Sequence, residues 1–385
     1  MKTALIYFKD ANLREISELF IAGGVEITTA VRLSADDDIG FRRGYDALRD
    51  TVDVLVVSAG AEFDVKEAVS SFTGVPLAEN ENARKRLAES GAEDYSGALM
   101  PVDSTFIPND AGDFQGFTME DGDFTLAVLP AGNEFTECCK KYFLPYIASK
   151  NGFADKYIFK CFGERSEITE IAESVKSEFD GGFFFTITES FCDVTLSVFF
   201  SGGGDGKQNA IRRFTEELGE RIYAESDVTL SEALFTLLKL RNIKIAVAES
   251  FTGGRLAKSI INNSGASQYF CEGITAYSND SKVKRLNVPY EDILKRGAVS
   301  AKVAYRMAAG LFSASDCDVA VATTGLAGPN GDGSGTPVGT CYIAVGTRNG
   351  IHTYGFRFAG TREEITEKGV NSALFYAVKT IKNII

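Results

Sequence analysis

The chain of 385 residues contains a single histidine, His352. This scarcity argues against a Ser-His-Asp triad, a Cys-His pair and a histidine-based zinc site, all of which need imidazole. His352 falls in the strand-like run of an expected hairpin. No run of about 18 apolar residues occurs, so no membrane-spanning helix is expected. The opening MKTALIYFKD lacks the layout of a secretory signal, which leads to the expectation of a cytoplasmic protein. A basic surplus is also absent. The net charge is −13, which argues against non-specific partners such as nucleic acid or an anionic membrane. The seven cysteines are scattered, with no C-x-x-C pair. That is the pattern of reduced thiols, most of them expected as small buried hydrophobes. No internal repeat or low-complexity tract is seen.

What is present reads as ordinary globular protein: 44% hydrophobic and 24% charged residues. The length suggests two or three domains. Residues 1–150 alternate strand-like and helix-like segments. The strands are expected at 2–8, 25–33, 52–58 and 124–129, with helices at 11–22 and 42–49. The run VDVLVVS has the continuous β-branched character of a strand buried on both faces of a parallel sheet. The simplest architecture is a doubly wound α/β domain. Residues 151–226 read as a small α+β unit: strand 156–162, helix 167–178, strands 182–188 and 194–200, helix 209–222. The stretch SGGGDGKQN before that last helix is a loop by composition.

From residue 227 the chain reads as a third domain, also α/β. Thr229 and Glu232 form a capping box before an apolar helix over 234–240, and strand 243–248 follows. A further strand is expected at 269–277, and a helix capped by Ser300 runs to residue 312. Strands 317–324 and 340–346 flank a glycine-rich segment. Arg348-Asn349-Gly350 predicts a tight hairpin into strand 351–358. Thr361 and Glu364 form a second capping box, and the helix after it has one apolar face from Ile365 to Ile381.

Three stretches of this third domain could carry chemistry. The segment GASQYFCEGITAYSNDSK places Ser267 at the entry of a strand and Lys282 past its exit. In a chain with one histidine, a serine nucleophile needs another base. A desolvated lysine is a plausible one, because burial lowers its pKa. The alternative is a loop serine and a solvated surface lysine. Tyr277 could relay a proton near that pair, or be an interior strand tyrosine. The segment AESFTGG joins a strand end to a helix start. Its Gly253 and Gly254 would let backbone N–H groups approach an anion, with Ser250 and Thr252 adding hydroxyls. Otherwise it is a plain turn with Thr252 as N-cap. The segment GLAGPNGDGSGTPVGT is anchored between two strands. It is read as a ligand loop able to supply oxyanion-binding amides, or else as a linker.

Taken in order, AESFTGG, GASQYF, TAYSNDSK, GAVS, TGLAGP and GTPVGT resemble the C-terminal domain of the CinA family, named for competence/damage-inducible protein. The resemblance covers residues 228–385. It implies a nicotinamide mononucleotide (NMN) deamidase, a serine amidohydrolase with a lysine base, acting in pyridine nucleotide salvage without a metal. Carried onto this chain, it implies Ser267 as nucleophile, Lys282 as base and Tyr277 as assistant. Ser250, Thr252, Gly253, Gly254, Gly325, Ala327, Gly328, Thr336, Gly339 and Arg362 would line the substrate. The family often has Cys where this chain has Phe251, a difference expected to matter little. The resemblance also implies a homodimer.

Over residues 1–225 the resemblance extends to the family's domain similar to molybdopterin-binding proteins. In some members that domain hydrolyses ADP-ribose, and an active domain would call for Mg²⁺. Leu129-Pro130-Ala131-Gly132 and Leu144-Pro145-Tyr146 keep part of the pattern. The family's two glycine- and acid-rich signatures are replaced here by Tyr7-Phe8-Lys9-Asp10-Ala11 and by Ser58-Ala59-Gly60-Ala61-Glu62-Phe63-Asp64. The expectation is a retained fold with degenerate pyrophosphatase chemistry. Two other readings accompany the deamidase: a non-catalytic nucleotide-binding, competence-associated protein, and a residual ADP-ribose pyrophosphatase.

Overall fold

Buried β-branched runs form the centres of the sheets, and alternation along each strand sends side chains into two cores. These features are seen in a computed structural model that describes residues 1–8, 12–153, 155–202 and 204–383. By contacts the chain falls into two compact units. The first comprises residues 1–156, 179–188 and 197–209, and the second residues 157–178, 189–196 and 210–385. The middle piece expected at 151–226 is divided between them.

The N-terminal part runs β1 (Thr3–Phe8), α1 (Leu13–Ala22), β2 (Ile27–Leu33), α2 (Asp38–Arg49), β3 (Val54–Ser58), α3 (Val65–Thr73), β4 (Leu77–Glu79), α4 (Glu81–Ser90), β5 (Leu99–Pro101), β6 (Thr105–Ile107), β7 (Gly116–Asp121), β8 (Phe124–Leu129), α5 (Gly132–Cys138) and α6 (Leu144–Lys150). Its main sheet has the order β2-β1-β3-β8-β7-β6. The first four strands are parallel, and β7 and β6 are antiparallel additions. In β1, Ala4, Ile6 and Phe8 enter one core while Leu5 enters the other. This is the doubly wound α/β arrangement expected from the sequence.

The middle residues form β9 (Asp155–Phe162), α7 (Arg165–Ser177), β10 (Phe183–Ser190), β11 (Asp193–Phe200), α8 (Asp205–Leu218) and β12 (Ile222–Ala224). Their sheet order is β10-β11-β9-β12. Helix α8 begins at Asp205, inside the stretch expected as loop.

The C-terminal part is α9 (Leu230–Arg241), β13 (Ile245–Glu249), α10 (Arg255–Ile261), β14 (Phe270–Thr275), α11 (Asn279–Leu286), α12 (Tyr290–Arg296), α13 (Ala301–Ala314), β15 (Val319–Gly325), β16 (Thr340–Thr347), β17 (Gly350–Arg357) and α14 (Arg362–Lys382). Both capping boxes form, at Thr229 and at Thr361. The sheet order is β14-β13-β15-β16-β17, with β13 parallel to both of its neighbours. Ile245 and Val247 pack with α9 and α14; Ala246 and Ala248 pack with α13. The chain leaves β13 for β14 on one side and returns to β15 on the other. The carboxyl end of β13 is therefore a switch point, the usual place for a ligand in an open α/β sheet. Among the described residues no helix is long and apolar enough to cross a membrane.

Candidate active site

Glu249 ends β13 opposite Thr275 of β14 and Thr323 of β15. The three strand ends thus share one sheet edge, and the chain turns sharply there. Gly253 and Gly254 take φ of 63° and 98°, a region costly for residues with a Cβ. Two backbone bonds hold the turn. Ser250 N–H donates to Thr323 O at 3.0 Å, and Ala276 N–H donates to Glu249 O at 2.7 Å.

The Glu249 carboxylate, 1% exposed, reaches back under the turn. It accepts from the N–H groups of Gly254, Leu256 and Ala257 at 3.0, 3.0 and 2.8 Å. These are the orphan donors of the first turn of α10. The sequence suggested that this helix start would receive an external anion or be capped by Thr252. Neither occurs. Glu249 fills it, and the Thr252 hydroxyl points away, paired with the Thr323 hydroxyl at 2.7 Å and 1% exposed. Thr252 is therefore no side-chain donor to a ligand. The N–H groups of Phe251 and Thr252 have no partner among the described residues.

Lys282 lies in the first turns of α11, a helix capped by the Ser278 side chain. It is 2% exposed. Its Nζ lies 2.9 Å from Ser250 Oγ and donates to Ala276 O at 3.0 Å. Desolvation lowers its pKa to about 8, with no ionic partner opposing the shift. The serine beside Lys282 is thus Ser250, itself 7% exposed.

Ser267 is not there. It is exposed in a short turn, Ala266–Gln268, before β14. Lys282 follows the far end of that strand. Six extended residues separate the two ends by roughly 20 Å. A residue that enters a strand and one that leaves it sit on opposite sheet edges. The structure does not bring together Ser267 and Lys282, the pair suggested by the sequence, for that reason.

Tyr277 is largely exposed, and its hydroxyl accepts from Arg362 Nη2 at 3.0 Å. Arg362, the first residue of α14, also donates through Nη1 to Gly328 O at 2.5 Å. Tyr277, Arg362 and the glycine loop are therefore tied together, one residue beyond the Ala276 carbonyl that holds Lys282. The loop is anchored at its neck: Leu326 N–H donates to Thr340 O at 2.9 Å and Gly339 N–H to Leu326 O at 2.8 Å. A Cβ on Gly339 would stand 1.9 Å from Phe358 O. Ala327 is 3% exposed and packs into a small apolar cluster. Thr336, near the exposed tip, accepts from Ser334 Oγ at 2.9 Å. Gly325 closes β15 beside the turn.

Glu249 and the Ala276 carbonyl went unnoticed in the sequence. The signal for Glu249 was its place immediately before Ser250, where a buried carboxylate faces a helix start.

In the N-terminal part, Lys9, Asp10 and Ala11 lie outside the described residues. In the second signature, Ala59, Ala61 and Phe63 pack on the core, with Phe63 edge-on to Phe8 at 5.4 Å. Asp64 spends its carboxylate capping α3, accepting from Lys66 and Glu67 N–H at 2.9 and 3.1 Å. Lys66 is itself buried, with Nζ on Gly97 O at 2.7 Å.

Comparison with known proteins places the chain in a family. Residues 227–381 match the family described as CinA C-terminal domain. A CinA-like protein of Geotalea uraniireducens is 30% identical over 92% of this chain and 90% of its own length. A protein of Caldicellulosiruptor saccharolyticus, described as competence-damage inducible, is 32% identical over 91% of this chain and 88% of its own. Among solved structures, the competence/damage inducible protein CihA of Agrobacterium tumefaciens is 33% identical. It covers 39% of this chain and 93% of its own, with a TM-score of 0.38. With relatives of this identity spanning nearly its whole length, the chain belongs to the CinA family.

Proposed function

We propose that the C-terminal part is a serine amidohydrolase that converts NMN and water to nicotinate mononucleotide and ammonia. The observation that carries this is the 2.9 Å approach of a buried Lys282 amine to Ser250 Oγ. Neutral Lys282 takes the Ser250 hydroxyl proton, and Oγ attacks the carboxamide carbon. The N–H groups of Phe251 and Thr252, unpartnered among the described residues, would hold the oxyanion. Lys282, now an ammonium, returns the proton to the amide nitrogen, and ammonia leaves as the C–N bond breaks. Lys282 then takes a proton from water, whose oxygen attacks the acyl ester. The carboxylate departs and Ser250 regains its proton. The Ala276 carbonyl keeps the amine aimed through both halves. Arg362 is held beside Tyr277, one residue beyond Ala276, and its guanidinium suits a phosphate-bearing substrate.

For the N-terminal part we propose loss of ADP-ribose hydrolysis. Alanines and phenylalanine fill the loop at 59–63, and Asp64 is engaged as a helix cap. The test of the whole reading is ammonia release from NMN by the purified chain, measured beside phosphate-ester products from ADP-ribose with Mg²⁺. Ammonia without ADP-ribose cleavage supports it. Cleavage of ADP-ribose alone would sink it.

A further inference from the structure

We infer that Phe251 is a positioning residue whose ring, seated in a slot left open by Gly325 and Gly369, holds the Ser250 turn within reach of Lys282. This rests on Ser250 as the nucleophile. Phe251 is 6% exposed and packs with Ala327, Cys341 and Ile365. A Cβ built on Gly369 would meet its Cζ at 2.4 Å and Cε2 at 2.7 Å. A Cβ on Gly325 would meet its Cδ1 at 2.9 Å and Cys341 Cβ at 2.6 Å. Neither glycine adopts positive φ, so the backbone does not demand glycine at either place. Gly369 lies inside the 21-residue helix α14, where only proline is less favourable than glycine. What it provides is room for the ring.

The turn is then gripped on both sides of Ser250. Glu249 is fixed beneath α10 by three hydrogen bonds, and Phe251 is fixed in the slot. Pushing the ring out of the slot moves the backbone adjoining Ser250. Displacements on the ångström scale cost reaction geometry far more than substrate binding.

The test compares Gly369→Ala, Phe251→Cys and the double variant in the full chain. Three quantities are read: kcat and KM on NMN, the rate at which phenylmethanesulfonyl fluoride labels Ser250, and the melting temperature. Gly369→Ala should lower kcat and labelling by about tenfold or more, with KM within about twofold. In the Phe251→Cys background the same change should be nearly silent, because the obstructing ring is gone. Undiminished kcat and labelling in Gly369→Ala overturns the inference. So does an equal loss with and without the ring. If Gly369→Ala does not fold, Phe251→Cys decides alone: kcat and labelling equal to wild type overturn the inference, and a several-fold fall in both supports it. Labelling reads Ser250 without reference to substrate. A chain labelled at Ser250 but silent on NMN overturns the proposed substrate, and the labelling rates then decide the role of Phe251. A wild-type chain unlabelled at Ser250 removes both.

Discussion

Lys282 Nζ and Ser250 Oγ stand 2.9 Å apart, both side chains almost wholly buried. The partners meet because β13 and β14 run parallel: the turn after one carries the serine, and the helix after the other carries the lysine. Ser250→Ala should therefore reduce turnover of NMN by several orders of magnitude, and Lys282→Ala by a similar factor, with non-additive effects in the double variant. Ser267→Ala should stay within about twofold of wild type, because its hydroxyl lies at the opposite sheet edge. Steady-state ammonia release checks all four proteins. Loss of activity in Ser267→Ala alone would reverse the assignment.

The rate should depend on pH through one group. Burial lowers the Lys282 pKa to about 8, and the base must be neutral to act. As pH rises through about 8 the neutral fraction grows, so kcat/KM should climb tenfold per pH unit well below 8 and level off above it. A profile still rising steeply at pH 10 would mean that the base titrates as an ordinary lysine and that burial does not lower its pKa.

The same burial has a cost in stability. The folded chain holds Lys282 at about 8 against the ordinary 10.5, a penalty on the order of 3 kcal/mol for keeping it charged. The penalty applies in full below pH 8. It fades between pH 8 and 10.5, where the unfolded chain binds the extra proton. Lys282→Met should abolish activity and yet raise the melting temperature at pH 7. The lost hydrogen bonds to the Ala276 carbonyl and to Ser250 Oγ, about 1 kcal/mol each, offset part of the gain. The advantage over wild type should shrink towards pH 10. Thermal melts at pH 7 and 10 distinguish this from a merely disruptive substitution, which would lower stability at both.

Much of this arrangement was legible in the residues. The capping boxes at Thr229 and Thr361 and the buried strands rest on local chemistry and formed as read; the hairpin formed too, with Arg348 and Asn349 as its turn and Gly350 already paired to Thr347. The lysine was legible too, since a chain with one histidine leaves few bases. Its partner was not, because pairing depends on which strand ends share an edge, and strand order is not written in local periodicity. The distance along the chain from Ser267 to Lys282 is short, yet a strand lies between them and sets them apart. Thr252 misled for a related reason. A hydroxyl in a glycine-rich turn reads as a donor to ligand, but only the fold shows Thr323 waiting beside it. The segment 278–296 hid two short helices, α11 and α12, too brief for a clear apolar face.

Arg362 links Tyr277 to the carbonyl of Gly328. Arg362→Ala should release the glycine loop and remove the cation beside Tyr277, raising KM for NMN by about tenfold or more while lowering kcat less. Tyr277→Phe removes one of the two bonds and should do less. Arg362→Lys should recover little, because a single ammonium does not reproduce two donors aimed at separate acceptors. A pure kcat defect with unchanged KM would instead place Arg362 at the reacting atoms.

The residues from Glu249 to Arg362 that build the proposed site all lie in the segment beginning at Thr229, so a chain of residues 228–385 should deamidate NMN with a kcat close to that of the full chain. It should also be less stable. Tyr223 is 3% exposed within the core that contains Leu230, Leu234 and Ile381. Phe162 stacks on Phe375 with ring centroids 4.4 Å apart. Lys382 Nζ donates to Tyr223 O at 2.9 Å. Truncation before residue 228 removes Phe162 and Tyr223 and leaves Phe375 uncovered. Two lost aromatic contacts of this size correspond to a few kcal/mol of burial, enough to lower the melting temperature by roughly 5–10 °C for a domain of this length. Substituting Phe375 by a polar residue in the short chain should recover solubility without changing kcat. A folded short chain with no activity would show instead that residues before 228 complete the site.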